Sequence, residues 1–268
     1  MTITNKFSTV HTTAKAARAI DYIVIHYTAG VTSKAGSAIN TADYFRTTST
    51  QVSADFTVDD GAVVQYNPDI RNRYTWHCGG NKYATKGGSL YGICKNSNSI
   101  GIEICCNNSK GPKNGKMPDA NDASYSFTDA AVANAEWLVK KLMAEYNIPA
   151  DRVVRHYDVT GKPCPGIVGW NADSGSEAKW QAFKRAISGE AVSTPAKYYV
   201  QVGAFANRVL AQAFLLSVKN KYPDAFIKQF DGSELYFVQV GAFSSRENAE
   251  KYLEGVKKSY PDAFIKIA

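Results

Sequence analysis

Apolar and polar positions follow two rhythms along this 268-residue chain. The first has period two and predicts strands. In DYIVIHYT, residues 21–28, Tyr22, Val24 and His26 fall on one side and Ile23, Ile25 and Tyr27 on the other. SIGIEICC, residues 99–106, repeats the pattern: Ile100, Ile102 and Ile104 share one face, Gly101, Glu103 and Cys105 the other. QVSADFTVDDGAVVQYN, residues 51–67, reads as a hairpin turning at Asp59-Asp60-Gly61, where glycine supplies the positive φ of a tight turn. A further short strand runs from Arg152 to His156.

The second rhythm has the period of a helix. It is clearest over residues 127–148, where Val132, Ala135, Leu138, Val139, Leu142 and Tyr146 form one stripe. Thr128 is placed to cap that helix, and Asp129 suits the positive end of its dipole. Shorter helices are predicted at 38–48, through Ile39, Ala42 and Phe45 or Arg46, and at 176–188, through Trp180, Phe183 and Ile187. Residues 72–98 and 107–124 carry neither rhythm and read as loops.

Beyond a stretch of linker composition at 188–196, the pattern duplicates itself. YVQVGAF at 199–205 returns as FVQVGAF at 237–243, and YPDAFIK at 222–228 returns at 260–266. Both pairs keep one offset, so the tail is two copies of a strand–helix–strand unit, βαββαβ, a ferredoxin-like split arrangement. Val200, Val202, Val238 and Val240 are expected to face its helices, and Tyr199, Gln201, Phe237 and Gln239 the opposite side. The expected organisation is a first domain at 1–188, a linker at 189–196 and a second domain at 197–268.

Charge and cysteine usage narrow the function classes. A net charge of +7 and a pI near 9.0 fit simple solubility or attraction to a polyanion: nucleic acid, an anionic membrane or an acidic wall polymer. The excess is spread along the chain and no nucleic-acid reading motif accompanies it, so no nucleic-acid partner is expected. No apolar run approaches membrane-spanning length, so no membrane insertion is expected. The five cysteines are Cys78, Cys94, Cys105, Cys106 and Cys164; an odd count with two adjacent members is not a disulfide framework. The first four are read as packing residues. The N-terminal segment has no continuous apolar stretch of the kind a signal peptide needs, which predicts synthesis in the cytoplasm.

Candidate chemistry concentrates in VVRHYDVTGKPCPG, residues 153–166. Zinc takes imidazole nitrogen and thiolate sulfur. His156 and Cys164 offer one of each, and Pro163 and Pro165 restrict the backbone around the thiol. His26, at a strand end, could be a satisfied core histidine. Joined to His156 and Cys164 it makes a two-histidine, one-cysteine set with an open fourth position, the pattern of catalytic zinc. Alternatively, Cys164 and His156 could form a thiol hydrolase. Glu103, alone in an apolar strand, is either a residue on a solvated face or a general base for an attacking water. Lys162 is either a surface lysine or a stabiliser of a developing oxyanion. His77, in TWHCGG, is either a substrate contact or a loop residue.

IVIHYTAG (23–30), VSADFTVDDG (52–61), TWHCGG (75–80), SIGIEIC (99–105) and VRHYDVTGKPCPG (154–166) occur in an order and spacing that resembles the zinc-dependent N-acetylmuramoyl-L-alanine amidases of the Amidase_2 type, a family shared with peptidoglycan recognition proteins. The resemblance covers most of residues 18–188. It implies an α/β domain with a mixed central sheet flanked by helices, and one Zn²⁺ held by His26, His156 and Cys164. Glu103 and Lys162 are implied as its catalytic partners. The implied reaction is hydrolysis of the amide between N-acetylmuramic acid and the L-alanine of the stem peptide. One departure stands out: many relatives carry tyrosine followed by histidine or asparagine in the hairpin strand, where this chain has Ala54 and Asp55. That shifts weight onto Glu103.

The tail resembles SPOR domains, which bind peptidoglycan glycan strands. The resemblance implies a binding face bearing Gln201 and Gln239, with Tyr199 and Phe237 stacking on sugar rings. Together these features suggest a phage or prophage endolysin that acts on the cell wall after release, its partner being peptidoglycan, both stem peptide and glycan strand. A host autolysin and a non-catalytic peptidoglycan-binding protein are the alternatives.

Overall fold

A computed structural model of the chain describes residues 1–189, 198–230 and 233–267. It divides into two compact units, Met1–Ala191 and Val192–Ala268. Apart from Gly189, the expected linker lies outside the described residues.

The first unit opens with two three-residue strands, β1 (Ile3–Asn5) and β2 (Thr12–Ala14), too short to register in the sequence pattern. β3 (Tyr22–Tyr27) and α1 (Ser37–Thr47) follow, then the hairpin β4 (Phe56–Val58) and β5 (Val63–Gln65), and then β6 (Arg73–Thr75). After the long loop come β7 (Ser99–Ile104), β8 (Asn107–Asn108), β9 (Tyr125–Ser126), α2 (Asp129–Tyr146) and β10 (Val153–Arg155). α3 (His156–Thr160) and α4 (Ala178–Ser188) close the unit. The main sheet is mixed, in the order β1-β5-β4-β7-β3-β10, with the β4–β5 hairpin antiparallel and the other neighbours parallel.

The two faces of this sheet have different tasks. Ile23, Ile25, Ile100, Ile102 and Ile104 are fully buried against Ala135, Leu138 and Leu142 of α2 and Trp180 and Phe183 of α4, forming the main core. α2 starts where expected, with Thr128 Oγ1 accepting from Ala131 N at 3.1 Å, and ends at Asn147, which takes the left-handed conformation. The opposite face turns His26 and Glu103 into a cleft shared with α1 and α3, and Gly101 against His77. The hairpin turn steadies that side: Asp59 Oδ1 accepts from Gly61 N and Ala62 N at 2.8 and 2.7 Å, while its Oδ2 accepts from Ala38 N at 2.9 Å in the first turn of α1.

The second unit runs β11 (Tyr198–Phe205), α5 (Arg208–Lys219), β12 (Phe226–Lys228), β13 (Tyr236–Phe243), α6 (Arg246–Lys257) and β14 (Phe264–Ile267). Its antiparallel sheet has the order β12-β13-β11-β14, as a split βαββαβ unit requires. Val200, Val238 and Val240 pack on Ala211, Leu215 and Val218 of α5 and Ala249 and Val256 of α6. Among the described residues, no helix is long and apolar enough to cross a membrane.

Candidate metal centre and active site

Three elements bring the candidate ligands together. His26 is the penultimate residue of β3. β10 lies beside β3 in parallel register, Arg155 opposite Ile25, so the residue after β10 emerges beside His26. That residue is His156. The sequence pattern places it at the end of a strand; it is instead the first residue of the five-residue α3. The loop beyond α3 then folds back, held by Tyr157 N donating to Cys164 O at 2.9 Å, and returns Cys164 to the two histidines.

Arg155 anchors this turn. Only 5% exposed, it donates from Nε and Nη2 to the two oxygens of Asp158 at 2.9 and 2.6 Å. Its Nη1 donates to Trp170 O and Glu177 Oε1, both at 2.6 Å. A buried bidentate pair of this kind fixes geometry rather than adding much net stability. The motif reading does not single out Arg155 and Asp158; a buried-strand arginine three residues before an aspartate is the signal that could have found them.

The potential ligand atoms of His26, His156 and Cys164 all lie within 4.8 Å of one another, and all three residues are buried. His26 Nδ1 and Cys164 Sγ are 3.6 Å apart. Zinc–nitrogen bonds of about 2.05 Å and zinc–sulfur bonds of about 2.3 Å at a tetrahedral angle put such atoms about 3.6 Å apart. His156 Nε2 is buried without a hydrogen-bond partner. The donor set therefore fits zinc.

The electrostatics point the same way. Burial, then the neighbouring histidines and Lys162, holds His26 well below its ordinary pKa. Burial, with Lys162 and His77, brings His156 down to about 3. Both rings are thus neutral, the form that binds a metal. Burial first, then Glu103, pushes the Cys164 thiol up to about 12. An activated nucleophilic thiol needs the opposite shift, so these surroundings speak against the thiol-hydrolase alternative; as a ligand the thiol would give up its proton to the metal.

Glu103 stands directly opposite His26 in the β3–β7 register, on the same sheet face. It is half-buried, with Oε2 closed off and unpartnered. Desolvation raises its carboxyl to about 8, while Lys162 and His77 pull in the other direction. Lys162 is exposed, yet its charge reaches Glu103 and all three candidate ligands. These groups line a cleft of about 600 Å³, whose walls include Thr28, Val31, Asn40, Tyr44, Met117 and Pro118.

Other expected site residues behave differently. His77 borders the cleft but is only 7% exposed, and its two ring nitrogens face His26 Nε2 at 3.1 Å and Ser99 Oγ at 3.2 Å. Both ring nitrogens are thus engaged inside the domain, which favours a role there over contact with substrate. Ala54 packs beneath α1 with Ala38, Ala42 and Phe45, and Asp55 is bonded inside the sheet, so neither reaches the cleft. In the second unit Tyr199, Gln201, Phe237 and Gln239 do share one sheet face. They are only 6, 4, 6 and 0% exposed, because Phe230 packs across Tyr199 and Phe237 with ring centroids at 5.3 and 5.2 Å. The two rings expected to stack on sugars are therefore covered by Phe230 in this structure. Gln201 and Gln239 are register partners, and Gln201 Oε1 and both polar atoms of the Gln239 amide have no hydrogen-bond partner.

Residues 16–167, more than half of the chain, match the family model described as N-acetylmuramoyl-L-alanine amidase. The chain belongs to the N-acetylmuramoyl-L-alanine amidase family. Residues 194–267 match the SPOR domain model, so a SPOR domain follows the amidase-family domain. Among curated proteins, the chain is 38% identical over 144 residues to N-acetylmuramoyl-L-alanine amidase CwlH of Bacillus subtilis strain 168, covering 54% of this chain and 46% of CwlH. It is 35% identical over 198 residues to N-acetylmuramoyl-L-alanine amidase XlyA of the same strain, covering 74% of this chain and 52% of XlyA. The chain thus spans about half the length of these relatives. The solved catalytic domain of XlyA is 31% identical, with a TM-score of 0.47, over 70% of this chain and 99% of that domain. The amidase family accounts for the mixed α/β fold and for a buried histidine–histidine–cysteine group able to hold a metal.

Proposed function

We propose that this chain is a zinc-dependent peptidoglycan hydrolase, a lytic endolysin that cleaves the amide joining N-acetylmuramic acid to the L-alanine of the stem peptide. The observation that carries the reading is the buried His26–His156–Cys164 group beside Glu103, at an open cleft, in a chain of the amidase family. Zinc bound to those three residues supplies Lewis acidity, polarising the amide carbonyl and lowering the pKa of water toward neutrality.

The chain's own groups do the rest. Glu103 takes the proton of the attacking water. Burial raises its carboxyl, and Lys162 together with a zinc ion beside it would draw it back toward the carboxylate that takes this proton and returns it to the leaving L-alanine nitrogen. Lys162 carries its ammonium group at the mouth of the cleft, where it can balance the negative charge that develops on the carbonyl oxygen. Thr28, Asn40 and Tyr44 line the wall along which the sugar and stem peptide would lie. The SPOR domain would hold the enzyme on glycan strands through the face of Tyr199, Gln201, Phe237 and Gln239, uncovered when Phe230 moves aside, and so raise its effective concentration at the wall.

Digestion of purified peptidoglycan tests the reaction. New L-alanine amino termini without new reducing sugar ends are expected; reducing ends would make the chain a glycosidase. Activity that survives exhaustive chelation would remove zinc from the account.

A further inference from the structure

His26 has two ring nitrogens, and both are committed. Nδ1 faces Cys164 Sγ at 3.6 Å; Nε2 faces His77 Nδ1 at 3.1 Å, the two rings meeting edge-on at 89°. His77 Nε2 in turn lies 3.2 Å from Ser99 Oγ, and Ser99 Oγ donates to Lys95 O at 2.6 Å. The chain of contacts runs from the candidate metal ligand through a second histidine and a serine to a backbone carbonyl.

Its far end sets its direction. A carbonyl oxygen only accepts, so the Ser99 hydroxyl proton is used on Lys95 O. Ser99 Oγ then meets His77 with a lone pair, and His77 must donate from Nε2. A neutral imidazole that donates from Nε2 accepts at Nδ1. While His77 is neutral, a state that burial favours and that Cys78 and Asp55 oppose by raising its pKa, its Nδ1 takes the Nε2 proton of His26 and leaves His26 Nδ1 bare and aimed at Cys164. The nitrogen freed in this way is the one a metal shared with Cys164 requires.

His77 is also held firmly in place. Its backbone N–H and that of Cys78 donate to Asn96 Oδ1 at 3.1 and 2.7 Å. Gly101 on β7 makes room for the ring: a Cβ there would lie 2.5 Å from His77 Cγ. A glycine in the middle of a buried strand weakens it, and close approach of another group is a reason for it to be there.

We propose that His77, backed by Ser99, is a positioning residue that fixes the Nε2–H tautomer and ring orientation of His26 and so tunes metal affinity. The proposal rests on the zinc reading above and gives His77 no contact with substrate. Partners of this kind behind a metal-bound histidine are commonly worth about 10–100-fold in affinity.

Two measurements on the full-length chain test it. Long-range ¹H–¹⁵N correlation spectra of the metal-free protein should show His26 and His77 both as Nε2–H tautomers. A Nδ1–H His26, or a His77 imidazolium that donates from both nitrogens, would overturn the proposal. Competition with a chromogenic chelator then measures zinc affinity. His77→Ala should weaken it about 10–100-fold, Ser99→Ala by less, and His77→Gln should recover part of the loss because its carbonyl oxygen can accept from His26. Equal affinity for wild type and His77→Ala would overturn the proposal while leaving the zinc reading intact. Failure of the wild type itself to bind zinc would refute that reading instead. If His77→Ala does not fold, the wild-type tautomer spectrum still decides.

Discussion

Replacing Asp55 should expose how much of the first unit depends on one buried carboxylate. Asp55 is fully buried, at 0% exposure. It accepts from Asn67 Nδ2 at 2.6 Å, Thr75 Oγ1 at 2.8 Å and Gly101 N at 2.7 Å, tying the hairpin, β6 and β7 together. Arg18, itself 5% exposed, donates to Ile70, Asn96 and Ser99 carbonyls nearby and feels the charge of Asp55. Hydrogen bonds to a charged group contribute about 1.5–3 kcal/mol each, and orphaned buried donors lose that in full. Three such donors give Asp55→Ala a loss of about 4–6 kcal/mol, after some local rearrangement. That is a large share of the roughly 5–15 kcal/mol that stabilises a typical domain. Asp55→Asn keeps the shape but turns one acceptor into a donor facing a donor, so about half that loss is expected. Urea denaturation followed by tryptophan fluorescence reads this unit alone, because Trp76, Trp137, Trp170 and Trp180 all lie within it. A loss below about 1.5 kcal/mol for Asp55→Ala would show that the three donors find other partners and would refute the reasoning.

Three further outcomes are expected. Lys162→Ala should retain one zinc per chain by elemental analysis while its turnover of peptidoglycan falls about 10²–10³-fold; loss of the metal would show that Lys162 has been misread. In the metal-free protein the folded state holds Glu103 protonated up to about pH 8, whereas an ordinary glutamate releases its proton near 4.5. The unfolded chain therefore binds fewer protons across that window, and stability falls as pH rises through it. Thermal melts at about pH 5 and about pH 8.5 should show a smaller loss for Glu103→Gln than for wild type, and equal losses would contradict the burial argument. Phe230→Ala should strengthen binding of the full chain to purified walls about tenfold, since uncovering the face no longer requires exposing a packed ring. Weaker binding by Phe230→Ala would mean that Phe230 is itself part of the binding surface.

Much of the fold is legible in the sequence because it follows from local rules. Alternation along β3 and β7 sets which residues face the helices, and that alternation alone puts His26 and Glu103 on one side of the sheet. Thr128, the α2 stripe and the internal repeat of the second unit are equally plain. The motif spacing brings His156 and Cys164 to His26, and the three are found together.

What the sequence alone determined, then, was the longer elements, the faces of their strands and the identity of the candidate ligands, since each depends on periodicity or on residue chemistry at short range, while the two- and three-residue strands and α3 were not legible. What only tertiary structure decided was which atoms meet. His77 looks like a loop residue free to touch substrate; the packing of its loop on Gly101 turns it toward His26. Asp55 looks like a missing site residue; the register of β4 and β7 buries it in a knot of backbone and side-chain donors. Tyr199 and Phe237 look open, until a residue past the end of β12 covers them. In each case the partner lies far away along the chain or beyond the end of a regular element, where periodicity carries no information and only the closing of the chain sets the distance.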